Sequence, residues 1–241
     1  MSLTEYVGGI MVKKLFVILV LIGLAIFFYG LLSSFSGNET LNMTAAYYAE
    51  NGAEEVGAAN LVTAIVVTYR GLDTLGEVTI LFLTAAISAF FLKSKDDFSK
   101  RDVTESSELL KTASSMLVPL IFVLGIYVFV NGHLTPGGGF QGGAILASGL
   151  VLLLLSEPLK KVNSLLFAVV ESVSGLFYVG IGITGIFLAG GFLDNSILPL
   201  GEFGTLLSAG ILPVIYILIG LKVGSELSGL LTKFQETQEE N

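Results

Sequence analysis

Residues 131–144 read NGHLTPGGGFQGGA, and the role of this glycine-rich stretch decides the fold class. Gly137, Gly139 and Gly142 have the spacing G-x-G-x-x-G, which in dinucleotide-binding folds follows a strand and opens a helix beside a pyrophosphate. Here a long apolar run precedes the glycines, no alternating strand pattern surrounds them, and the next acidic residue, Glu157, comes too early. The Gly-Lys-Ser/Thr sequence of a P-loop is also absent. The sequence therefore predicts no nucleotide binding here.

The composition is typical of a membrane protein. The 241 residues are 53% hydrophobic and only 13% charged, and the mean hydropathy is +0.84, whereas soluble domains carry about a quarter charged residues. The net charge of −8 offers no basic face to a nucleic acid. Because the chain has no cysteine and one histidine, it cannot supply the ligands of an iron–sulfur cluster, a cysteine-bound zinc or a multi-histidine metal site. We expect no metal, no cofactor and no nucleic-acid or nucleotide partner.

Six apolar stretches predict transmembrane helices. Five have the roughly 17–25 residues that a crossing helix needs, and a shorter sixth lies at 140–156; the stretches are 14–32, 72–92, 112–131, 140–156, 163–189 and 204–223. The apolar part of 53–69 is too short to cross, and it predicts a short amphipathic helix that is interfacial or partly buried. The chain is thus predicted to be an all-α, multi-pass protein of the cell membrane.

The positive charges predict the orientation. Lys and Arg cluster at 13–14, 93–101, 160–161 and 222–233. If 53–69 does not cross, six spans place all four clusters on one side, as the positive-inside rule requires. Both termini are then cytoplasmic, and residues 33–50 and the glycine-rich loop face outward.

The distribution of charges also suggests that the chain is divided into separate regions. The polar loop 93–111 is predicted to be a cytoplasmic linker between a membrane part at 1–92 and a four-helix part at 112–225, and a polar tail follows at 226–241. Asn38 and Asn42 begin N-x-S/T sequons in the outward segment, where glycosylation and chance occurrence are both open.

The glycine cluster itself fits a tight helical hairpin. A proline and the glycines after it permit a sharp turn, and small residues at every fourth position beyond it let another helix approach closely. Gln141 is predicted to hydrogen-bond the carbonyls freed in the loop. The candidates for the turn and for helix packing are Pro136, Gly137, Gly138, Gly139, Gln141, Gly142, Gly143 and Ala147.

Two longer runs resemble known families. GHLTPGGGFQGGAILASGLVLLL, residues 132–154, closely resembles the signature of the B subunit of the Mrp-type multisubunit Na⁺/H⁺ antiporters, and the spans at about 112–225 fit the four-helix plan of that family. Residues 60–86, NLVTAIVVTYRGLDTLGEVTILFLTAA, resemble the C-terminal end of the large A subunit of these antiporters and share its R-G-x-D-T-L-x-E run. The chain thus resembles a fusion of the two, at about 58–92 and 112–225, as in archaeal membrane-bound hydrogenase and sulfur-reductase complexes.

This resemblance implies a function. The chain would be a non-catalytic membrane subunit of a cation (Na⁺)/proton antiporter module in a complex I-related respiratory complex, either a hydrogenase or a sulfur reductase. Its partners would be the other membrane subunits, the lipid bilayer, and Na⁺ and H⁺ as transported ions. A purely structural bridging subunit is the alternative. A self-sufficient transporter fits less well, because intramembrane charges are few and no internal repeat is visible. No nucleophile–base pair appears, so the chain is not predicted to be an enzyme itself.

Charged residues inside the predicted spans are the candidates for the ion path. Glu171 lies deep in the span 163–189, where an ionised group costs about 2.5–3.5 kcal/mol unless it is paired, neutral or hydrated. It is either part of a cation or proton path, part of an inter-subunit contact, or an inert hydrogen-bonded group. Arg70, Asp73 and Glu77 share one helix face. They form either a local ion-pair ladder or a site in which Arg70 favours the charged form of Glu77 as a cation ligand or relay.

Four further residues lie between or within the predicted spans and have expected roles. His133 adjoins the glycine-rich turn, where it could gate proton exit or simply donate a hydrogen bond to the turn. Glu202 is predicted to cap the last span. Pro119 and Pro213 fall within apolar spans, and we expect kinks there.

Overall fold

The computed structural model describes residues 3–35, 40–92, 106–158, 160 and 162–237. The chain forms two compact units, Met1–Thr44 and Ala45–Asn241. The first contains one helix, α1 (Leu3–Ser34), whose stretch Lys13–Ser34 is long and apolar enough to cross a membrane. Its side chains from Lys13 onward are exposed within this unit, as expected of a helix that faces lipid or another protein chain.

The second unit is also helical. Among the described residues there is no strand, and five further helices could cross a membrane. The all-α membrane fold with six spans is thus confirmed, while the cytoplasmic placement of the termini stays a prediction. The helices of this unit are α2 (Met43–Val56), α3 (Leu61–Thr63, continued by a π-helix at Ala64–Tyr69), α4 (Gly71–Phe91), α5 (Glu108–Val130), α6 (Gly139–Ser156), α7 (Ser164–Leu188) and α8 (Leu212–Thr237).

Helix α8 lies at the centre of this unit. It packs against α4, α5, α6 and α7. Leu212, Ile215, Ile219 and Val223 are almost completely buried, and their spacing of three or four residues places them on one face. This face holds the four surrounding helices together, so any polar group on the buried part of α8 lies inside the bundle.

The last span differs from its predicted bounds of 204–223. Gly201, Gly204 and Gly210 have positive φ angles, which stop a right-handed helix, so α8 begins only at Leu212. The kink expected at Pro213 was wrong, because the residue lies in the first turn of α8, where its missing N–H group costs nothing. Glu202 does not cap this helix; its carbonyl accepts a hydrogen bond from the Thr205 amide at 3.1 Å.

The predicted polar tail at 226–241 is also wrong at its start, because α8 continues to Thr237. Ser225 Oγ donates to Leu221 O at 2.6 Å and Thr232 Oγ1 donates to Ser228 O at 2.8 Å. Hydroxyls satisfied in this way by their own helix are tolerated in an apolar environment. The sequence therefore looks polar from 226 onward although the chain remains helical and partly buried.

Segment 53–69 is not the single amphipathic helix that the sequence predicted. Gly57, with φ +72°, ends α2, and the Asn60 side chain caps α3 by accepting from the Val62 amide at 3.1 Å. The residues around this break are buried, and Tyr47 and Tyr69 both donate hydrogen bonds to the Glu55 carboxylate, which ties α2 to the π-helix. This segment is packed into the protein. Asn38 and residues 93–105 of the predicted linker lie outside the described residues.

Candidate functional site

The glycine-rich stretch forms the turn between α5 and α6. Gly137 has φ +149°, a conformation that other residues rarely adopt, and Pro136 is exposed beside it. Asn60 Nδ2 donates to the carbonyls of Gly132 at 2.8 Å and Thr135 at 3.0 Å. Asn60 thus does what was predicted for Gln141.

Small residues after the turn bring α6 close to its neighbours. A Cβ atom on Gly143 would lie 2.8 Å from the Gly224 amide nitrogen of α8, and one on Gly142 would lie 2.6 Å from the Gly125 carbonyl of α5. Gly139 likewise contacts Ile219 of α8, and Ala147 is buried. The predicted small-residue stripe is therefore a helix-packing surface. Gln141 is exposed and its side chain makes no hydrogen bond to the described loop carbonyls.

His133 is fully buried beneath the loop before α8. Its Nε2 lies 3.4 Å from the Thr205 carbonyl, and its Nδ1 is buried with no hydrogen-bond partner among the described residues. Burial lowers the pKa of His133, and hydrogen bonding of the ring to the backbone carbonyls of Thr205 and Leu206 only partly opposes this. Burial therefore disfavours the charged form of His133 and keeps the side chain away from solvent, which suits a role in fixing the loops better than a role as a proton gate.

The charged face of α4 divides into a pair and a separate carboxylate. Arg70 Nη2 lies 2.5 Å from Asp73 Oδ2, with both side chains more than half exposed. Exposed pairs of this kind contribute about 0–1 kcal/mol. Glu77 is exposed and takes part in none of the ion pairs among the described residues. The structure thus does not form a three-residue ladder, and it leaves Glu77 exposed within an apolar helix.

Three ionisable side chains meet in the middle of the bundle. Lys222 Nζ of α8 lies 3.2 Å from Glu226 Oε2 on the same helix and 3.8 Å from Glu171 Oε1 of α7. It also lies 5.0 Å from the centre of the Phe82 ring of α4, a distance suited to a cation–π contact. We call Glu171, Lys222 and Glu226 the triad. The exposed fractions of these side chains are 22%, 9% and 1% respectively.

The triad lies far from both ends of α8. With a rise of 1.5 Å per residue, Glu226 is about 21 Å from Leu212 and about 14 Å from Gln235 along the helix axis. Lys222 and Glu226 fall inside the candidate membrane span Leu212–Gln235, and Glu171 falls inside the candidate span Ser164–Leu188.

Two cavities border the triad. The first, which we call the Ser164 cavity, has a volume of about 220 Å³ and is lined by Ser164, Glu171, Glu226 and Lys233, among others. The second, the Tyr178 cavity, has a volume of about 320 Å³ and is lined by Thr79, Glu171, Tyr178 and Lys222, among others. Each has room for several water molecules at about 30 Å³ apiece.

Sequence reasoning found one of the three residues. It placed Glu171 within a span, but it assigned Lys222 to the cytoplasmic basic cluster and Glu226 to the tail. The i, i+4 spacing of Lys222 and Glu226 was a usable signal, because it places a lysine and a glutamate on one helix face. It was missed because the last span was predicted to end at 223.

The chain matches two known families over separate ranges. The domain related to the MnhB subunit of Na⁺/H⁺ antiporters matches residues 109–229, and the MbhE family, a subunit of MBH, matches residues 11–105. An uncharacterized protein of Methanocaldococcus jannaschii is 30% identical over 72% of this chain and 74% of its own length. The B subunit of the Na⁺/H⁺ antiporter of Bacillus subtilis is 48% identical over 58 residues, 24% of this chain and 41% of that protein.

A solved structure agrees with the sequence matches. A chain of the membrane-bound sulfane sulfur reductase, an archaeal respiratory membrane complex, is 37% identical with a TM-score of 0.78, covering 95% of this chain and all of that one. Fold and matches together define a multi-pass membrane subunit. The chain belongs to the family of domains related to the MnhB subunit of Na⁺/H⁺ antiporters.

Proposed function

We propose that this chain is a non-catalytic membrane subunit of a cation/proton antiporter module in a respiratory membrane complex, and that α4, α7 and α8 line part of its ion path. One observation carries the second part of this proposal: the triad places two glutamates and a lysine in the middle of the apolar bundle. The similarity to a chain of the sulfane sulfur reductase complex supports the first part and favours a sulfur reductase over a hydrogenase as the parent complex.

Energetics favour an ion path over simple bridging. Buried ion pairs are often no more stabilising than well-packed apolar side chains of similar size, and charged groups inside membranes mark ion or proton routes. A subunit that only bridged its neighbours would have no need of the triad. Glu171 is the member that borders both cavities, so we assign it to the route itself.

The exposed charges of α4 have different roles in this proposal. Glu77 is exposed within a span, where lipid would leave it unsolvated. We propose that Glu77 meets a polar group of a neighbouring subunit and continues the ion route there. Arg70 and Asp73 form a local pair at the start of α4. In this proposal both chain termini and the segment between α4 and α5 are on the cytoplasmic side.

The test is the variant Glu171→Gln in the assembled complex. In membrane vesicles we expect Na⁺-dependent proton exchange to fall roughly tenfold or more, equivalent to about 1.4 kcal/mol, because the carboxylate bordering both cavities is lost. The complex should still assemble on a native gel, since the remaining pair of Lys222 and Glu226 is neutral. Glu157→Gln is the matched control, because Glu157 pairs with Lys160 at 3.1 Å at an exposed position.

Two results would contradict the ion-path assignment. Normal exchange by an intact Glu171→Gln complex would remove Glu171 from the route. Loss of assembly in Glu171→Gln but not in Glu157→Gln would favour the structural bridging role.

A further inference from the structure

We propose that the triad binds one monovalent cation, a proton or a sodium ion, at the Glu226 carboxylate. Binding and release of this cation would be one step of the exchange. The inference rests on the proposed function, because it names the ion-holding group on the route assigned above.

The charge balance of the triad favours a further cation near the two carboxylates, in a cavity that Lys233 also lines. With Glu171 and Glu226 ionised and Lys222 protonated, the three side chains carry a net charge of −1. Lys222 lies within salt-bridge distance of both carboxylates, so it neutralises only one of the two charges. An uncompensated charge in a medium of low dielectric is costly, so a further cation close to the two carboxylates would be stabilised.

The unpaired oxygen identifies where that cation binds. Glu226 Oε2 accepts the hydrogen bond of Lys222 at 3.2 Å, whereas Oε1 is buried with no hydrogen-bond partner among the described residues. Glu226 is also one of the residues that line the Ser164 cavity. An anionic oxygen that is buried, unpartnered and beside a cavity large enough for water can take a proton to become a hydroxyl donor. It can also supply an oxygen ligand to a hard cation such as Na⁺.

Several helices contribute groups around the Glu226 carboxylate. From α7, Glu171 lies near it, and Tyr178 lines the Tyr178 cavity with its hydroxyl buried and without a partner among the described residues. Helix α4 contributes the Phe82 ring and the carboxylate of Glu77, whose charge acts on Tyr178. Residues 139–156 of α6 contain no ionisable side chain, and the charges of α5, Glu108 and Lys111, lie in its first turn. Lys233 of α8 lines the Ser164 cavity beside Glu226.

The two cavities offer access from different directions. Glu226 borders the Ser164 cavity, Lys222 borders the Tyr178 cavity, and Glu171 borders both. The Lys222–Glu226 pair therefore lies between the cavities. A cation that reaches Glu226 through one cavity weakens the electrostatic attraction between Glu226 and Lys222. The Lys222 ammonium group then pairs with Glu171. This coupling between ion occupancy and the lysine partner gives the site two states.

Infrared difference spectroscopy of the purified complex tests this proposal. A change of pH should produce a band of a protonated carboxyl C=O group in the wild-type complex and in the Glu157→Gln control, and Glu226→Gln should lack it. Glu226→Asp should retain a titrating band at a shifted position, because it keeps a carboxyl group on a shorter side chain. If Glu226→Gln does not assemble, the shift in Glu226→Asp identifies the residue by itself.

Sodium ions distinguish the two forms of the cation. The pH difference is repeated in NaCl and in choline chloride at equal ionic strength. Loss of the band in Na⁺ alone shows that proton and sodium compete for Glu226, and an unchanged band shows a site that holds only the proton; either result supports the proposal. A band that persists unshifted in both Glu226 variants overturns it.

Exchange measurements separate this proposal from the proposed function. If Glu171→Gln abolishes exchange while the Glu226 band is absent from the wild-type spectrum, the ion path stands and Glu226 is not its cation site. If neither Glu171→Gln nor Glu226→Gln slows exchange in intact complexes, both proposals fail.

Discussion

His133 is a buried histidine whose environment disfavours the charged form. Nε2 lies 3.4 Å from the Thr205 carbonyl, which can only accept, so the ring hydrogen of the neutral form is on Nε2. Nδ1 then has no hydrogen and no partner among the described residues. Protonation would add an N–H group at Nδ1 with no acceptor among the described residues, and a buried donor without an acceptor is costly. The lowered pKa of His133 has this burial as its main cause.

The burial of His133 predicts a pH dependence of stability. The pKa of the histidine is lower in the folded chain than in the unfolded one, so the unfolded state binds the proton more readily. Its contribution to stability is therefore complete above about pH 6.5, the ordinary histidine value, and is lost as the pH falls through the folded pKa. We expect the melting temperature of the complex to drop from about pH 7.5 to 5.5, and less steeply in His133→Gln. Equal slopes in the two proteins would contradict this.

Single residues also mark the limits of the sequence as a guide. Glu171 was predictable because one carboxylate interrupts an apolar run. Lys222 was missed although its spacing from Glu226 was a signal, because a lysine near a predicted helix end is also what the positive-inside rule expects. Asn60 was not among the predicted residues; its bonds to Gly132 and Thr135 join segments distant in sequence, and such contacts leave no local pattern.

At the scale of elements, α6 is shaped by its glycines. Gly142 and Gly143 are neighbours in sequence, so they point in different directions on the helix, one toward α5 and the other toward α8. A helix that carries small residues on two faces can pack closely between two others. Since α8 carries two members of the triad, the close packing of α6 helps to fix the position of the charged site.

Gly143→Ala is expected to weaken this packing. The added Cβ would lie 2.8 Å from the Gly224 nitrogen and 2.9 Å from the Gly220 carbonyl oxygen, which are backbone atoms that cannot move aside. Overpacking of this kind costs about 1–3 kcal/mol, and thermal unfolding of the complex should show a lower melting temperature. Gly180→Ala in α7 is the control, because a Cβ there has no atom of the chain within 4 Å. A similar effect of both substitutions would contradict the close approach.

The helices also show which boundaries a sequence can predict. The bounds of α4 and α6 lie within a few residues of those predicted, because apolar runs there end at glycines, charges or a turn. The start of α8 was missed because residues 204–211 are apolar yet carry positive φ angles at Gly204, Ala209 and Gly210. Hydropathy reports the environment of a segment and not its backbone conformation.

At the scale of the whole molecule, the chain joins two family matches that meet between residues 105 and 109. The resemblance stated from residues 132–154 is confirmed by the match at 109–229. For residues 1–50 the sequence offered only hydropathy, and the match to the MbhE family extends over most of them. Helices from both matches build the charged site, since α4 supplies Phe82 while α7 and α8 supply the triad.

The positive charges predict the orientation of the chain in the membrane, and the composition makes this orientation simple to test. Because the chain has no cysteine, single cysteines can be introduced one at a time and probed with a membrane-impermeant maleimide on intact cells. Thr40, Glu54 and Glu202 are exposed and are predicted to lie outside, so cysteines there should react before lysis. Glu157 is exposed on the predicted cytoplasmic side, so a cysteine there should react only after lysis. The reverse pattern would invert the topology, with the Ser164 cavity then nearer the outer face. Reaction of Glu54→Cys and Glu157→Cys from the same side would show that the number of crossings between them is even, which six spans with 53–69 outside do not allow.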